Sequence, residues 1–193
     1  MNDFLKTAVR NYTTVGAVAE ISRYVTARVL CEVPPGARTV VELGAGNGTL
    51  TKELVKRLPR DGRLIAVEIL PGFVKELQTI KDSRLSVIEG DAAEVLARLR
   101  SDGTPLADVI VSNIPFSLMK VLRRRTILSR AADMLAPDGS LIVYQNLPVV
   151  ATQLKELFHE IAWGLELRNF PPYFVITARG KRQVTRMSVA VSS

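Results

Sequence analysis

Four short stretches of this chain carry residue types, at a regular spacing, that could hold a nucleotide-like ligand. Val40-Val41-Glu42-Leu43-Gly44-Ala45-Gly46-Asn47-Gly48 is an apolar run that closes on an acid and three alternating glycines. Glycine takes positive φ and lets a ligand approach the backbone, so this spacing reads as a tight loop beneath a bound molecule. Glu42 adds an acceptor at the end of the run, where a cationic ligand group would be drawn. A second apolar run ends in Ala66-Val67-Glu68, and a carboxylate at that place can hold two ribose hydroxyls. A third ends in Glu89-Gly90-Asp91-Ala92, which sets Asp91 beside an adenine edge if the ligand crosses the strand ends. The fourth ends in Asn113-Ile114-Pro115-Phe116.

Each stretch has a plainer reading. Glycines form turns, Glu68 could be a helix N-terminal acid, Asp91 could cap a helix starting at Ala92, and Phe116 could be a core residue. The plain readings do not account for four functional residue types arriving in order at the ends of four successive strands. Ligands of open α/β sheets bind at the carboxyl ends of the strands, and the joint site is the reading this order favours.

The elements that must position these residues follow from the apolar pattern. Strand-like runs at Thr39 to Leu43, Leu64 to Glu68, Leu85 to Ile88, Asp108 to Ser112 and Ser140 to Gln145 alternate with helix-like ones at Leu50 to Arg57, Gly72 to Ile80, Ala92 to Leu99, Leu118 to Leu135 and Val149 to His159. Alternation of this kind predicts a mostly parallel sheet with helices on both faces. Pro34-Pro35-Gly36 separates an N-terminal helical region, 1–33, from the remainder, 34–193. After Phe170-Pro171-Pro172, the runs Tyr173 to Ala178 and Val184 to Val191 predict a hairpin, giving seven strands with an antiparallel one at the C-terminal end.

Composition bounds the chemistry. One cysteine, Cys31, allows no intramolecular disulfide, and with one histidine, His159, it cannot build a Cys/His zinc site. No metal is expected. The N-terminus mixes Asp3, Lys6 and Arg10 with apolar residues, unlike a signal peptide, and no apolar stretch is long enough to span a bilayer. A net charge of +7 suits RNA, an anionic membrane surface or a phosphate-bearing substrate, and equally suits plain solubility. Phe4, Leu5, Ala8, Val9 and Tyr12 recur at helical spacing with Lys6 and Arg10 on other faces, as in a basic amphipathic helix that could lie on a membrane or cover its own domain. Lys120, Arg123, Arg124 and Arg125 form a second basic cluster beside the fourth motif.

Taken together, the glycine loop, Glu68, Gly90-Asp91-Ala92 and Asn113-Ile114-Pro115-Phe116 resemble the successive motifs of class I, Rossmann-like methyltransferases that use S-adenosylmethionine. The resemblance implies that Gly44, Ala45, Gly46 and Gly48 face the methionine and ribose, that Glu42 binds the amino acid end, and that Glu68 with Ile69 holds the ribose. By the same resemblance Asp91 and Ala92 frame the adenine, and Asn113 contacts cofactor as well as acceptor. Asn113 to Phe116 is similar to the Asn-Pro-Pro-Tyr type element of enzymes that methylate nitrogen. There the amide oxygen of Asn113 and the carbonyl of Ile114 could accept hydrogen bonds from an amine and aim its lone pair, while Phe116 packs the acceptor or the incoming methyl, so that Asn113, Ile114, Pro115 and Phe116 are the expected catalytic element.

Two families share these motifs. Ribosomal RNA adenine dimethyltransferases have a similar loop and would suit the positive charge, but the chain ends at Ser193 without their C-terminal helical domain, and Phe116 stands where they carry tyrosine. Bacterial phospholipid N-methyltransferases resemble the chain over nearly its whole length, including Arg168-Asn169-Phe170-Pro171-Pro172, although Ala19-Glu20-Ile21-Ser22-Arg23 replaces their usual Pro-Ser-Ser. This resemblance implies an enzyme that methylates phosphatidylethanolamine and its methylated derivatives toward phosphatidylcholine. It would sit on the inner face of the cell membrane in the cytoplasm, residues 1–33 acting as a membrane- or substrate-binding cap. RNA adenine N6-methylation and a non-catalytic cofactor-binding module are the alternatives.

Overall fold

The computed structural model describes residues 21–182. Seven strands form one sheet: β1 (Thr39–Leu43), β2 (Arg63–Glu68), β3 (Leu85–Glu89), β4 (Ala107–Ser112), β5 (Leu135–Gln145), β6 (Phe158–Glu166) and β7 (Tyr173–Lys181), in spatial order β3-β2-β1-β4-β5-β7-β6. The five strands from β3 to β5 are parallel and β7 runs against both of its neighbours. The helices among the described residues are α1 (Arg23–Glu32), α2 (Thr49–Arg57), α3 (Pro71–Leu77), α4 (Ala92–Ser101), α5 (Val121–Met134) and α6 (Ala151–Leu157). The sheet and its helical cover are those the alternation of runs predicts.

β1, in the middle of the sheet, is buried at all five positions, as a parallel strand covered on both faces must be. On one face Val25, Val29, Leu50 and Leu54 of α1 and α2 pack against Val40, Leu64, Val109 and Val111, and Leu77 of α3 packs with Ala66. On the other, Leu96, Ile127 and Leu154 of α4, α5 and α6 pack against Val41, Leu43, Ile110 and Val143. The strand order reverses between β1 and β4, so the connections after them leave to opposite faces and a crevice opens between the two carboxyl ends.

Two expectations are corrected in the C-terminal third. The helix expected over Val149 to His159 is Ala151–Leu157, and the chain then turns directly into β6, which is the hairpin partner of β7. The run Val184 to Val191, expected in that role, lies outside the described residues. β6 escapes a periodicity reading because it is an edge strand: both ends are buried but most of its middle is exposed, so no alternation marks it. The second correction concerns β5, which starts at Leu135 rather than Ser140. Pro137-Asp138-Gly139 is a bulge inside the strand, where the register with β4 jumps from Ala107↔Leu135 to Val109↔Ser140. Its glycine is needed for close approach, since a Cβ at Gly139 would stand 2.8 Å from the Ala107 carbonyl oxygen.

The amphipathic helix expected over Phe4 to Tyr12, with Lys6 and Arg10, falls outside the described residues. From Ile21 onward the chain is fastened by the motif Arg168 to Pro172. The side-chain oxygen of buried Asn169 accepts the Ser22 N–H at 3.0 Å, and its amide donates to the Pro171 carbonyl at 2.9 Å. Ser22 in turn caps α1 through its hydroxyl. Asn169→Ala leaves a buried N–H and a carbonyl without their partners, and is expected to lower stability by about 1–3 kcal/mol. Urea unfolding tests this: a lower midpoint at unchanged slope is the expected result, and an unmoved midpoint would deny Asn169 its fastening role.

Candidate active site at the β1–β4 crevice

A cavity of about 260 Å³ fills the crevice. Its walls come from the ends of five strands: Gly44 to Asn47 after β1, Glu68 to Leu70 after β2, Gly90 to Ala92 after β3, Asn113 to Pro115 after β4, and Tyr144 to Leu147 at the end of β5. Ile21 and Tyr173 complete the rim. The four motifs singled out from sequence therefore meet around one space.

The glycine loop lies flat because its residues adopt conformations that other amino acids avoid. Gly44, Gly46 and Gly48 have φ of +76°, +55° and +81°. Gly44 also permits close approach: a Cβ there would stand 3.3 Å from Ile114 Cγ1 and 3.4 Å from the Ile114 nitrogen. The Gly44 and Ala45 N–H groups donate to the Val67 carbonyl, and the Asn113 N–H donates to the Leu43 carbonyl, so the ends of β1, β2 and β4 are tied together. At Gly46 a Cβ would meet nothing within 4 Å, which leaves that face open to a ligand.

Glu68 is the anchor of this arrangement. It is buried, and three backbone N–H groups donate to its carboxylate: Gly46 at 2.8 Å to one oxygen, Ile69 at 2.7 Å and Leu70 at 2.9 Å to the other. A carboxylate offers about four acceptor positions, so one remains for a ligand hydroxyl. Asp91 does what its plainer reading foresaw and more. One oxygen caps α4 through the Ala93 and Glu94 N–H groups, and the other pairs with the Arg123 guanidinium, while the residue still borders the cavity beside Ala92.

Glu42 and Phe116 stand elsewhere than the sequence suggests. Glu42 lies behind the glycine loop and not on the cavity wall, 1% exposed, with one oxygen accepting the Thr51 hydroxyl at 2.6 Å and the other without a partner. Burial pushes its carboxyl up to about 8 from the ordinary 4.5; the Thr51 hydrogen bond opposes this and the negative charge of Glu68 adds to it. At neutral pH it is a neutral acid, not an attractor of cations. Phe116 is 0% exposed and packs in the core below α5, so its ring is not a cavity wall. The turn explains this. The Phe116 N–H donates to the Ile114 carbonyl at 2.7 Å, curling the chain inward into a 3₁₀ turn, Phe116–Leu118, and engaging the carbonyl expected to face an amine.

Sequence reasoning missed the aromatic wall. Tyr144 and Tyr173 line the cavity with ring centroids 6.2 Å apart and planes at 36°. Tyr144 ends β5 and could have been found by the same strand-end rule. Tyr173 could not, because it opens a strand, and only the antiparallel course of β7 brings that opening to the rim. The basic cluster after β4 is also spent differently from expectation: Arg123 pairs with Asp91, Arg124 donates to the Val149 carbonyl at 3.1 Å, and Arg125 pairs with Glu156, leaving Lys120 exposed at the start of α5.

The state of Glu42 can be read from stability. Between roughly pH 5 and 8 the native residue keeps its proton while the unfolded chain loses its own, so this group makes stability fall as pH rises, levelling above about 8. Glu42→Gln keeps an acceptor for Thr51 and removes that burden. Its Tm is expected to exceed that of the parent at pH 8 and to lose the advantage near pH 4.5; equal differences at both would contradict a protonated native Glu42.

Residues 40–139 match the family model described as a methyltransferase domain, which is more than half of the chain. The ornithine lipid N-methyltransferase of Singulisphaera acidiphila is 29% identical over 93% of this chain and 96% of its own length. A probable ribosomal RNA small subunit methyltransferase A of Pyrobaculum aerophilum is 31% identical over 76% of the chain, which spans 61% of that protein. Among solved structures, the N-methyltransferase NodS from Bradyrhizobium japonicum in complex with S-adenosylhomocysteine superposes with a TM-score of 0.68 at 17% identity, over 83% of this chain and 89% of that one. The cavity fits such a cofactor on its own terms: an open glycine face, a buried carboxylate with spare acceptor capacity, and a wall residue, Gln145, whose amide nitrogen has no partner among the described residues. The chain belongs to the methyltransferase domain family and is an S-adenosylmethionine-dependent methyltransferase.

Proposed function

We propose that this enzyme methylates the amine nitrogen of an aminolipid headgroup, phosphatidylethanolamine and its methylated derivatives toward phosphatidylcholine, at the cytoplasmic face of a membrane. The single observation that carries the reading is Asn113. Its side-chain amide borders the cavity at the switch point and makes no hydrogen bond to the described residues, so its oxygen is available to an incoming amine N–H. The near full-length likeness to an ornithine lipid N-methyltransferase supports a lipid as the acceptor.

The cofactor, when bound, supplies a methyl group on a sulfonium that is already a good leaving group. What remains for the protein is placement, and effective molarity is the relevant gain. In this reading Gly44, Ala45, Gly46 and Gly48 let the methionine and ribose lie against the backbone, Glu68 with the Ile69 amide beside it takes a sugar hydroxyl, and Asp91 and Ala92 border the adenine. Asn113 turns the amine lone pair toward the methyl. Ile114 and Pro115 fix the Asn113 backbone, the first by its contact with Gly44. Tyr144 and Tyr173 take over the packing role foreseen for Phe116, whose buried ring supports the turn from below.

RNA is the second reading, favoured by the likeness to a ribosomal RNA methyltransferase and by the charge of +7. Purified protein given labelled S-adenosylmethionine separates the two. One sample holds liposomes containing phosphatidylethanolamine, one holds ornithine lipid, and one holds unmodified ribosomal RNA. Label in phosphatidylethanolamine is the expected result; label confined to ornithine lipid moves the headgroup, and label in RNA overturns the lipid reading.

Two variants test the residue roles. Asn113→Ala is expected to lower kcat by about 100-fold, as a misplaced reacting atom does, with cofactor affinity within about 3-fold of the parent. Unchanged turnover would refute the acceptor role. Glu68→Ala removes a charged acceptor and releases the Gly46 amide, and cofactor Kd measured by calorimetry is expected to rise on the order of 10- to 100-fold. An unaltered isotherm would sink the ribose assignment.

A further inference from the structure

The cavity mouth is ringed by large apolar side chains turned to solvent. The segment after β4 exposes Leu118, Val121 and Leu122, the loop after β5 exposes Leu147, and the β6–β7 turn exposes Leu167 and Phe170. Phe170 is 92% exposed, Leu122 77% and Leu167 69%. All three segments leave the sheet on one rim. β6 runs parallel to β5, because both are antiparallel to β7, so the turn after β6 emerges beside the ends of β4 and β5. The Asn146 amide donates to the carbonyls of Pro171 and Pro172, fastening the β5 loop to the turn that presents Phe170. Leu147 belongs both to the ring and to the cavity wall, and the partly buried Met119 next to Leu118 lines the same wall, so the ring is continuous with the site.

Contiguous exposed apolar surface on a soluble chain marks an interaction site. Two observations choose the occupant. First, the cavity of about 260 Å³ is the one assigned above to the cofactor and the reacting amine, which leaves the two acyl chains of an aminolipid to a surface outside it. Second, the three segments, 117–122, 146–149 and 167–172, contain no acid; Arg168 is paired with Glu166 just before its segment, so the charge left to face a partner is the exposed Lys120. Apolar side chains around an exposed lysine, with no acid among them, match the interfacial zone of an anionic leaflet.

We propose that this collar is a bilayer-docking surface: Leu118, Leu122, Leu147, Leu167 and Phe170 enter the headgroup zone of an anionic membrane and present the lipid amine to Asn113 without extracting the lipid. The inference rests on the aminolipid reading above. It assigns membrane contact to apolar residues around the mouth, because the arginines expected to make that contact are largely engaged within the fold.

The test uses the full chain and vesicles of phosphatidylethanolamine and phosphatidylglycerol. Withdrawing one Leu or Phe side chain from the interface is expected to weaken binding on the order of 10-fold. The double variant Leu122→Ser with Phe170→Ser is therefore expected to lose vesicle co-sedimentation while its calorimetric affinity for S-adenosylmethionine stays within 2- to 3-fold of the parent, about the precision of the comparison. As a second measurement, Phe170→Trp in a Trp163→Phe background is expected to shift its emission to the blue and to be quenched by brominated lipid. Vesicle binding retained by the double variant, or an emission unmoved by lipid, overturns the collar. Methyl transfer is scored in the same samples: a parent enzyme that methylates aminolipid while the double variant still binds vesicles rejects the collar alone, whereas binding that collapses in the variant with no aminolipid methylated by the parent upholds the collar and rejects the acceptor. Loss of self-association by light scattering without loss of vesicle binding would assign the surface to a second copy of the chain and overturn the proposal.

Discussion

The carboxylate of Glu68, buried and held by three backbone amides, is the interaction on which the site is built. An ionised group withdrawn from water is tolerated only if hydrogen bonds replace its hydration, and here those bonds come from two separate loops. Gly46 belongs to the turn after β1, and Ile69 and Leu70 to the exit from β2, so satisfying one side chain fixes both loops. The charge also has an electrostatic consequence. With Glu68 anionic, the fully buried Glu42 behind it is pushed further toward its neutral form. Tyr144, between Glu42 and Tyr173, is held protonated by burial first and by these neighbours second. The glycine loop is therefore backed by a neutral acid, and the two carboxylates that border the cavity, Glu68 and Asp91, are each met by backbone amides, Asp91 also by Arg123.

The same economy governs the cations. A charge of +7 invites the picture of a basic patch, yet the arginines nearest the site serve the fold. Arg123 neutralises the second oxygen of Asp91, whose first oxygen caps α4, so a single aspartate joins the ends of β3 and α5 at the cavity edge. Arg125 reaches Glu156 on α6, an exposed pair worth little by itself, and Arg124 meets a backbone carbonyl. Arg168 lies 4.3 Å from the Tyr24 ring centroid while its guanidinium is paired with Glu166, so it braces α1 against the β6–β7 turn. Net charge describes the whole chain; partner geometry decides what each residue does.

What could be read from sequence follows from where the information is stored. Strands β1 to β4 are short, apolar and bounded by glycine, proline or an acid, so their limits fall within a residue or so of expectation, and the motifs at their ends meet because parallel strands place all carboxyl ends on one rim. β6 was illegible because an edge strand with an exposed middle carries no alternation, and Pro137-Asp138-Gly139 reads as a stop although the sheet absorbs it as a bulge. The inward course of Phe116 was hidden for another reason: the Asn113 to Phe116 motif names the residues of a turn but not its direction. That direction is set by the Phe116 N–H bond to the Ile114 carbonyl and by the core space beneath α5. Glu42 is similar, its place behind the loop depending on Thr51, nine positions later on α2.

The reversal of β7 carries the final step. Had the chain continued as a parallel strand, its start would lie at the amino-terminal edge of the sheet, remote from the crevice. Running antiparallel beside β5, it begins at the rim, where Tyr173 packs beside Tyr144 on the cavity wall and the preceding turn rises beside the mouth. Because the buried Asn169 of that turn also holds the Ser22 amide, the entry to α1 and the placement of Ile21 on the cavity wall depend on the same few residues. The glycine-loop side of the crevice is thus made by the parallel half of the sheet, and the other wall by the antiparallel hairpin and the N-terminal segment fastened to it. Because none of Glu68's three amide donors belongs to the hairpin, that wall can vary in shape while the loop Glu68 holds stays the same, as expected where one fold carries different sites.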